Sequence, residues 1–152
     1  MTANHPSIAP LLERLKPVAE QSGNFGPVSV RDGSLVCIAK AAAAPASYRV
    51  FQEGGKVWVS LVMADRWLSE SIESDLMHTG DKMEDLLEEE LIEHSAPATR
   101  LKIEHFRSDD LLFTFRSPLP VTADAGAAPG VARFLAAYEA CFRNLGDMSA
   151  GE

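Results

Sequence analysis

The chain has 152 residues, 46% of them apolar and 24% charged, with a formal net charge of −8. That length suits one domain with one core, and the apolar fraction excludes the low-hydrophobicity regime in which chains stay unfolded. No apolar run approaches the roughly 18 residues that span a bilayer, and Met1 to Pro10 lacks a signal-peptide pattern, so a cytoplasmic protein with no membrane partner is expected.

The charge is unevenly spread. Ten acidic residues and the single base Lys82 lie between Glu70 and Glu93, so this stretch carries −9 and the remainder +1. Counterion release rewards clustered Lys and Arg, and a concentrated negative excess therefore disfavours nucleic acid as a partner.

In chain order, Ile8, Leu11, Leu12, Leu15 and Val18 recur at the spacing of one helical face and predict a first helix. Pro17 removes an interior N–H and is expected to end or kink it, before the break at Gly23–Pro27. Short β-favouring runs follow. Val28–Val30 and Leu35–Ala39 flank Asp32-Gly33, a two-residue hairpin signal, and Ser47–Gln52 and Lys56–Met63 flank Gly54-Gly55. Ala41–Ala46 reads as loop. Val57, Val59 and Leu61 share one face of their strand and Trp58 lies on the other, so helices are expected against the first face.

Asp65 is a candidate N-cap for a helix carrying Leu68, Ile72 and Leu76 and ending at Gly80. Asp81 begins another, through about His94, with Met83, Leu86, Leu87 and Leu91 on one side and Asp85, Glu88, Glu89 and Ile92 on the opposite, solvated side. After Pro97, Arg100–Phe106 and Leu111–Arg116 form a hairpin around Ser108–Asp110. Pro118 to Gly130 reads as loop. The apolar stripe Val131, Phe134, Leu135, Tyr138, Phe142 and Leu145 then predicts a last helix, with Pro129 in its first turn and Gly146 at its end. The expected architecture is a single α+β domain over 1–152. It has a core of about 7–145, flexible termini at 1–6 and 146–152, and an antiparallel sheet of about five strands with helices packed on it. The element order is helix, meander, helical region, hairpin, helix.

Chemical motifs are sparse. Gly54-Gly55 joins two strands, whereas a nucleotide loop joins a strand to a helix, and no G-x-S-x-G elbow occurs. Cys37 and Cys141 lack neighbouring bases and read as buried thiols. Glu90 and His94 share a helix face, yet neither H-E-x-x-H nor a pair of Glu-x-x-His helices is present, so no metal or other cofactor is expected. His94 complements carbonyls at a helix end, and His105 is read as an ordinary strand histidine sharing a face with Leu101 and Ile103. Ile92 amid carboxylates, with Trp58 and Trp67 flanking the start of the helical region, marks an apolar patch with an acidic rim. The candidate partner surface is therefore Trp58, Trp67, Glu88, Glu89 and Ile92.

The Lys56–Met63 strand, Asp81–His94 helix, Arg100–Arg116 hairpin and Val131–Leu145 helix stand in an order that resembles the type III secretion chaperone-like superfamily, including its YbjN-type relatives, over about Ser7 to Leu145. The resemblance implies a homodimer that binds extended segments of other proteins on apolar surfaces, without cofactor or catalysis. The resulting expectation is a non-catalytic protein-binding module, similar to a small acidic secretion-type chaperone or regulator, whose partner is another protein or a second copy. The alternative is an enzyme or metal- or small-ligand-binding domain with a site assembled from His78, His94, His105 and Glu90.

Overall fold

The structure is a computed structural model and describes residues 8–39, 46–64, 70–72, 74, 83–94, 101–107 and 112–143. Helix α1 (Ala9–Ser22) leads into strands β1 (Phe25–Arg31), β2 (Ser34–Ala39), β3 (Ala46–Glu53) and β4 (Lys56–Met63). Helix α2 (Met83–Glu93), strands β5 (Glu104–Arg107) and β6 (Phe113–Leu119), a 3-10 turn (Ala125–Ala127) and helix α3 (Ala128–Arg143) complete the described elements. All six strands form one antiparallel sheet in the order β1-β2-β3-β4-β6-β5. The α+β class and the order of elements follow the sequence reading, with six strands where about five were expected.

The meander is set by its turns. Asp32 and Gly33 have φ of 51° and 77°, and Gly54 and Gly55 have 60° and 76°. Two successive left-handed residues match the twist of the strands they join, so each turn reverses the chain without splaying the pair.

Three of the boundaries that depart from expectation lie at prolines. Pro17 does not end α1, which continues to Gly23 at φ 76°. The proline sits on the exposed side, where the Glu13 carbonyl it leaves without a donor faces water, while Leu11, Leu12, Leu15 and Ala19 hold the other side in the core. Val18 is accordingly 44% exposed, and Ala19 replaces it on the buried stripe. Pro118 lies inside β6 opposite Trp58, not in a loop. Strand β5 ends its pairing opposite Arg116, so this end of β6 is an edge on which a missing N–H costs no ladder bond. Helix α3 begins at Ala128, before Pro129, and the proline falls in its first turn, where its N–H has no intrahelical partner to lose. The predicted Asp65–Gly80 helix and Trp67 lie largely outside the described residues.

Alternation along the strands commits one face of the sheet to the core. Leu35, Cys37, Tyr48, Val50, Val57, Val59, Leu61 and Phe115 pack with Leu11, Leu12 and Leu15 of α1, Leu87 and Leu91 of α2, and Val131, Phe134, Leu135, Tyr138 and Phe142 of α3. Among these, Phe115, Phe142 and Tyr138 form a chain of tilted ring contacts 5.0 and 5.1 Å apart. Ser117, the polar member of β6 on this face, is 0% exposed and is hydrogen-bonded to the Tyr138 hydroxyl at 3.0 Å. The intervening strand residues point the other way and stand outside the core cluster.

Candidate functional site

The face away from α1, α2 and α3, here the outer face, is ordered by strand register into transverse rows. Phe51, Trp58 and Pro118 are mutually opposite in one row. Val36, Arg49, Ser60, Arg116 and Glu104 form the next. Ser47, Val62, Thr114 and Phe106 form a third. Directly opposite residues have Cα atoms about 4.5–5.5 Å apart, so the middle row puts two arginines on either side of one serine.

Arg116 is fixed from every side. Its Nε donates to Glu104 Oε1 and its Nη1 to Glu53 Oε2, each at 2.9 Å. Its guanidinium lies 4.2 Å from the Trp58 ring centroid and 5.1 Å from that of Phe106. Trp58 is itself anchored: its indole N–H donates to the Glu53 carbonyl at 3.0 Å and its ring stacks on Phe51 at 6.4 Å. Partly exposed ion pairs of this kind contribute little stability, about 0–1 kcal/mol, and their effect here is positional.

Arg49 is different. Its Nε donates to Ser47 Oγ at 3.0 Å, and among the described residues its two Nη groups have no partner. Beside it, Ser60 is 1% exposed and its hydroxyl has no hydrogen-bond partner among the described residues. Buried side-chain hydroxyls are ordinarily satisfied, because a lost partner costs about 1–3 kcal/mol. Above these residues lies a hollow of about 290 Å³, lined by Arg49, Ser60, Arg116, Phe51, Val62 and Phe106 among others. A second hollow of about 230 Å³, running toward Ile38, shares Arg49 and Val62 with it. Together they make a trough across β2, β3, β4 and β6 with Arg49 at the junction.

Comparison with known protein families, curated proteins and solved structures gives no match.

The residues singled out from sequence fall on two surfaces. Trp58 forms part of the outer face and is 9% exposed, with its ring held under Arg116. Glu88 is half-buried, Glu89 exposed and Ile92 62% exposed on α2, whose Leu87 and Leu91 pack into the core on the other side of the sheet. The structure thus separates Trp58 from Glu88, Glu89 and Ile92, and Trp67 is outside the described residues. Glu90 and His94 do meet: His94 Nδ1 is 2.9 Å from the Glu90 carbonyl oxygen and 3.7 Å from its carboxylate, at the helix end. His105 is exposed on β5, and its ring stacks on Phe115 at 3.9 Å. Among the described residues no three of His, Cys, Asp and Glu come together as a metal site. Both thiols are buried, and burial pushes the Cys37 and Cys141 pKa values up to about 12.

Arg49, Ser60, Phe51, Arg116 and Phe106 were not singled out from sequence. Their only local signals are an arginine and a serine in the middle of strands otherwise rich in apolar residues.

Proposed function

We propose that the protein is a cytoplasmic, non-catalytic binding module that holds an extended segment of another protein against the outer face of its sheet, as a small acidic secretion-type chaperone or regulator does. One observation carries this reading: a sheet with one face spent on the core presents on the other a continuous trough that contains an arginine fork and a buried hydroxyl, both without partners among the described residues. Such groups are stable in a free protein only at a cost, and sites that retain that cost are commonly binding sites. The aromatic walls Phe51 and Phe106 suit a chain segment, since anchor residues at protein interfaces are enriched in aromatics and arginine. No helix of the described residues is long and apolar enough to cross a membrane, which fits a partner met in solution.

Site-specific photo-crosslinking in cells tests the reading. A benzophenone side chain placed at Phe51 or Phe106 is expected to give discrete polypeptide adducts, and one at exposed Arg14 of α1 none. Adducts confined to Ile92 would move the interface to the acidic helix, and their absence from both sheet positions would refute the proposal.

A further inference from the structure

We infer that the junction of the trough is a carboxylate subsite: Arg49 and Ser60 together take the acidic side chain of an Asp or Glu carried in an apolar segment of a bound polypeptide. The inference rests on reading the outer face as a protein-binding surface and specifies what that surface recognises. With Nε tied to Ser47, Arg49 keeps two Nη groups without a partner among the described residues, and such a planar fork matches the two oxygens of a carboxylate. The register sets Ser60 directly opposite Arg49 and both line the same hollow, so a carboxylate on the fork is expected to meet the serine hydroxyl as donor. That contact satisfies a buried hydroxyl that has no partner among the described residues.

Among the described residues, the neighbouring charges leave Arg49 as the cation of this row open to an anion. Arg116 already carries two carboxylates, Glu53 and Glu104, and offers no free charge of its own. Those same carboxylates repel a second acid at that end and steer it toward Arg49, the one outer-face cation in the row without an acidic partner among the described residues. A hollow of about 290 Å³ exceeds what a carboxylate fills, and its wall includes the apolar Val62, Phe51 and Phe106, with Glu53 and its ion pair at the Arg116 end, so the anion is expected to arrive with apolar neighbours. The carboxylates of α2, exposed at Glu89, lie on the helical side of the sheet, and the trough faces away from them.

The test is selection of a displayed library of random peptides on the full-length protein, followed by affinity measurement on the enriched sequences. Enriched peptides are expected to carry Asp or Glu next to aliphatic or aromatic residues. Changing that acid to its amide, or Arg49→Gln in the protein, is expected to weaken binding about ten- to hundredfold, the range for a hydrogen-bonded charge. Ser60→Ala provides the control that separates recognition from folding. It removes an orphaned hydroxyl, so it is expected to raise Tm by about 2–4 °C while weakening the same peptides about three- to tenfold. Near-UV circular dichroism checks that Arg49→Gln keeps the native packing. Peptides without acidic enrichment that depend on Phe51 and Phe106 but not on Arg49 would overturn the subsite and leave the binding face standing. Failure to enrich any peptide would overturn both. Acetate binding, read from the Arg49 side-chain NMR signal, that is as tight as peptide binding would replace the polypeptide with a free small carboxylate.

Discussion

Two buried tyrosines of equal size give opposite forecasts, because one hydroxyl has a partner and the other does not. Tyr48 on β3 is 1% exposed and its hydroxyl is unpartnered among the described residues, while Tyr138 on α3 is 0% exposed and bonded to Ser117 at 3.0 Å. Tyr48→Phe keeps the ring and its tilted contact with Phe25 at 5.7 Å. What it removes is a polar atom that gave up hydration and received nothing in return. The substitution is expected to raise stability by about 1 kcal/mol, within a range of about 1–3 kcal/mol for an unsatisfied buried group. That corresponds to a Tm rise of about 2–4 °C per kcal/mol in a chain of this size. Tyr138→Phe strips Ser117 of its partner in the core and is expected to destabilise by about 1–3 kcal/mol, with the double change Tyr138→Phe, Ser117→Ala recovering part of the loss. Urea unfolding followed by circular dichroism and tryptophan fluorescence reads both, provided the m-value is unchanged. If Tyr48→Phe loses as much stability as Tyr138→Phe, then the Tyr48 hydroxyl is satisfied, and the reasoning about orphaned hydroxyls fails for Ser60 as well.

The thiols are expected to be inert in the native state. With Cys37 and Cys141 buried and their pKa values near 12, a disulfide reagent at about pH 8 should label neither until the chain unfolds, and fast native labelling of either would contradict its burial. Glu139 supplies a pH test. Burial raises its carboxyl pKa above the ordinary 4.5, and the Arg143 guanidinium at 2.8 Å offsets this only in part. A folded-state pKa above the unfolded value means the folded protein holds that proton more tightly. The group's contribution is therefore greatest below 4.5 and is lost as pH rises through the folded value. Glu139→Gln should be more stable relative to the parent at about pH 7.5 than at about pH 5 in urea titrations; a difference that grows on acidification would reverse the assignment.

The fold was largely legible because its signals are local. Asp32-Gly33 and Gly54-Gly55 announce positive-φ turns on their own, and the stripe from Val131 to Phe142 is a helix whatever surrounds it. Where local rules failed, tertiary context decided. Pro17 survives inside α1 because its side of the helix meets water, and Pro118 sits in β6 because β5 stops short. The site was illegible for the converse reason. That Arg49, Ser60 and Arg116 stand in one row depends on the pairings β3 to β4 and β4 to β6, and the second joins strands more than fifty residues apart. A single strand shows that Ser60 faces away from Val59 and Leu61, but not what stands beside it. Sequence therefore drew attention to Ile92 and the carboxylates of α2, where exposure and charge are visible without a partner strand.

The two orphaned hydroxyls separate structural tolerance from recognition. Tyr48 belongs to the core face, enclosed by its own packing; Ser60 belongs to the outer face, beneath a hollow and beside an arginine with free donors. Energetically they are alike, since each forfeits hydration without gaining a bond, so removing either is expected to stabilise the free protein. They differ in what can reach them. A ligand in the trough can satisfy Ser60 and cannot satisfy Tyr48, so only at Ser60 should stability and binding move in opposite directions. A stabilising Ser60→Ala that binds as well as the parent would make both hydroxyls mere tolerated defects. A stabilising Ser60→Ala that binds worse, set against a stabilising Tyr48→Phe that binds equally well, would mark the outer face as the side of the sheet that works.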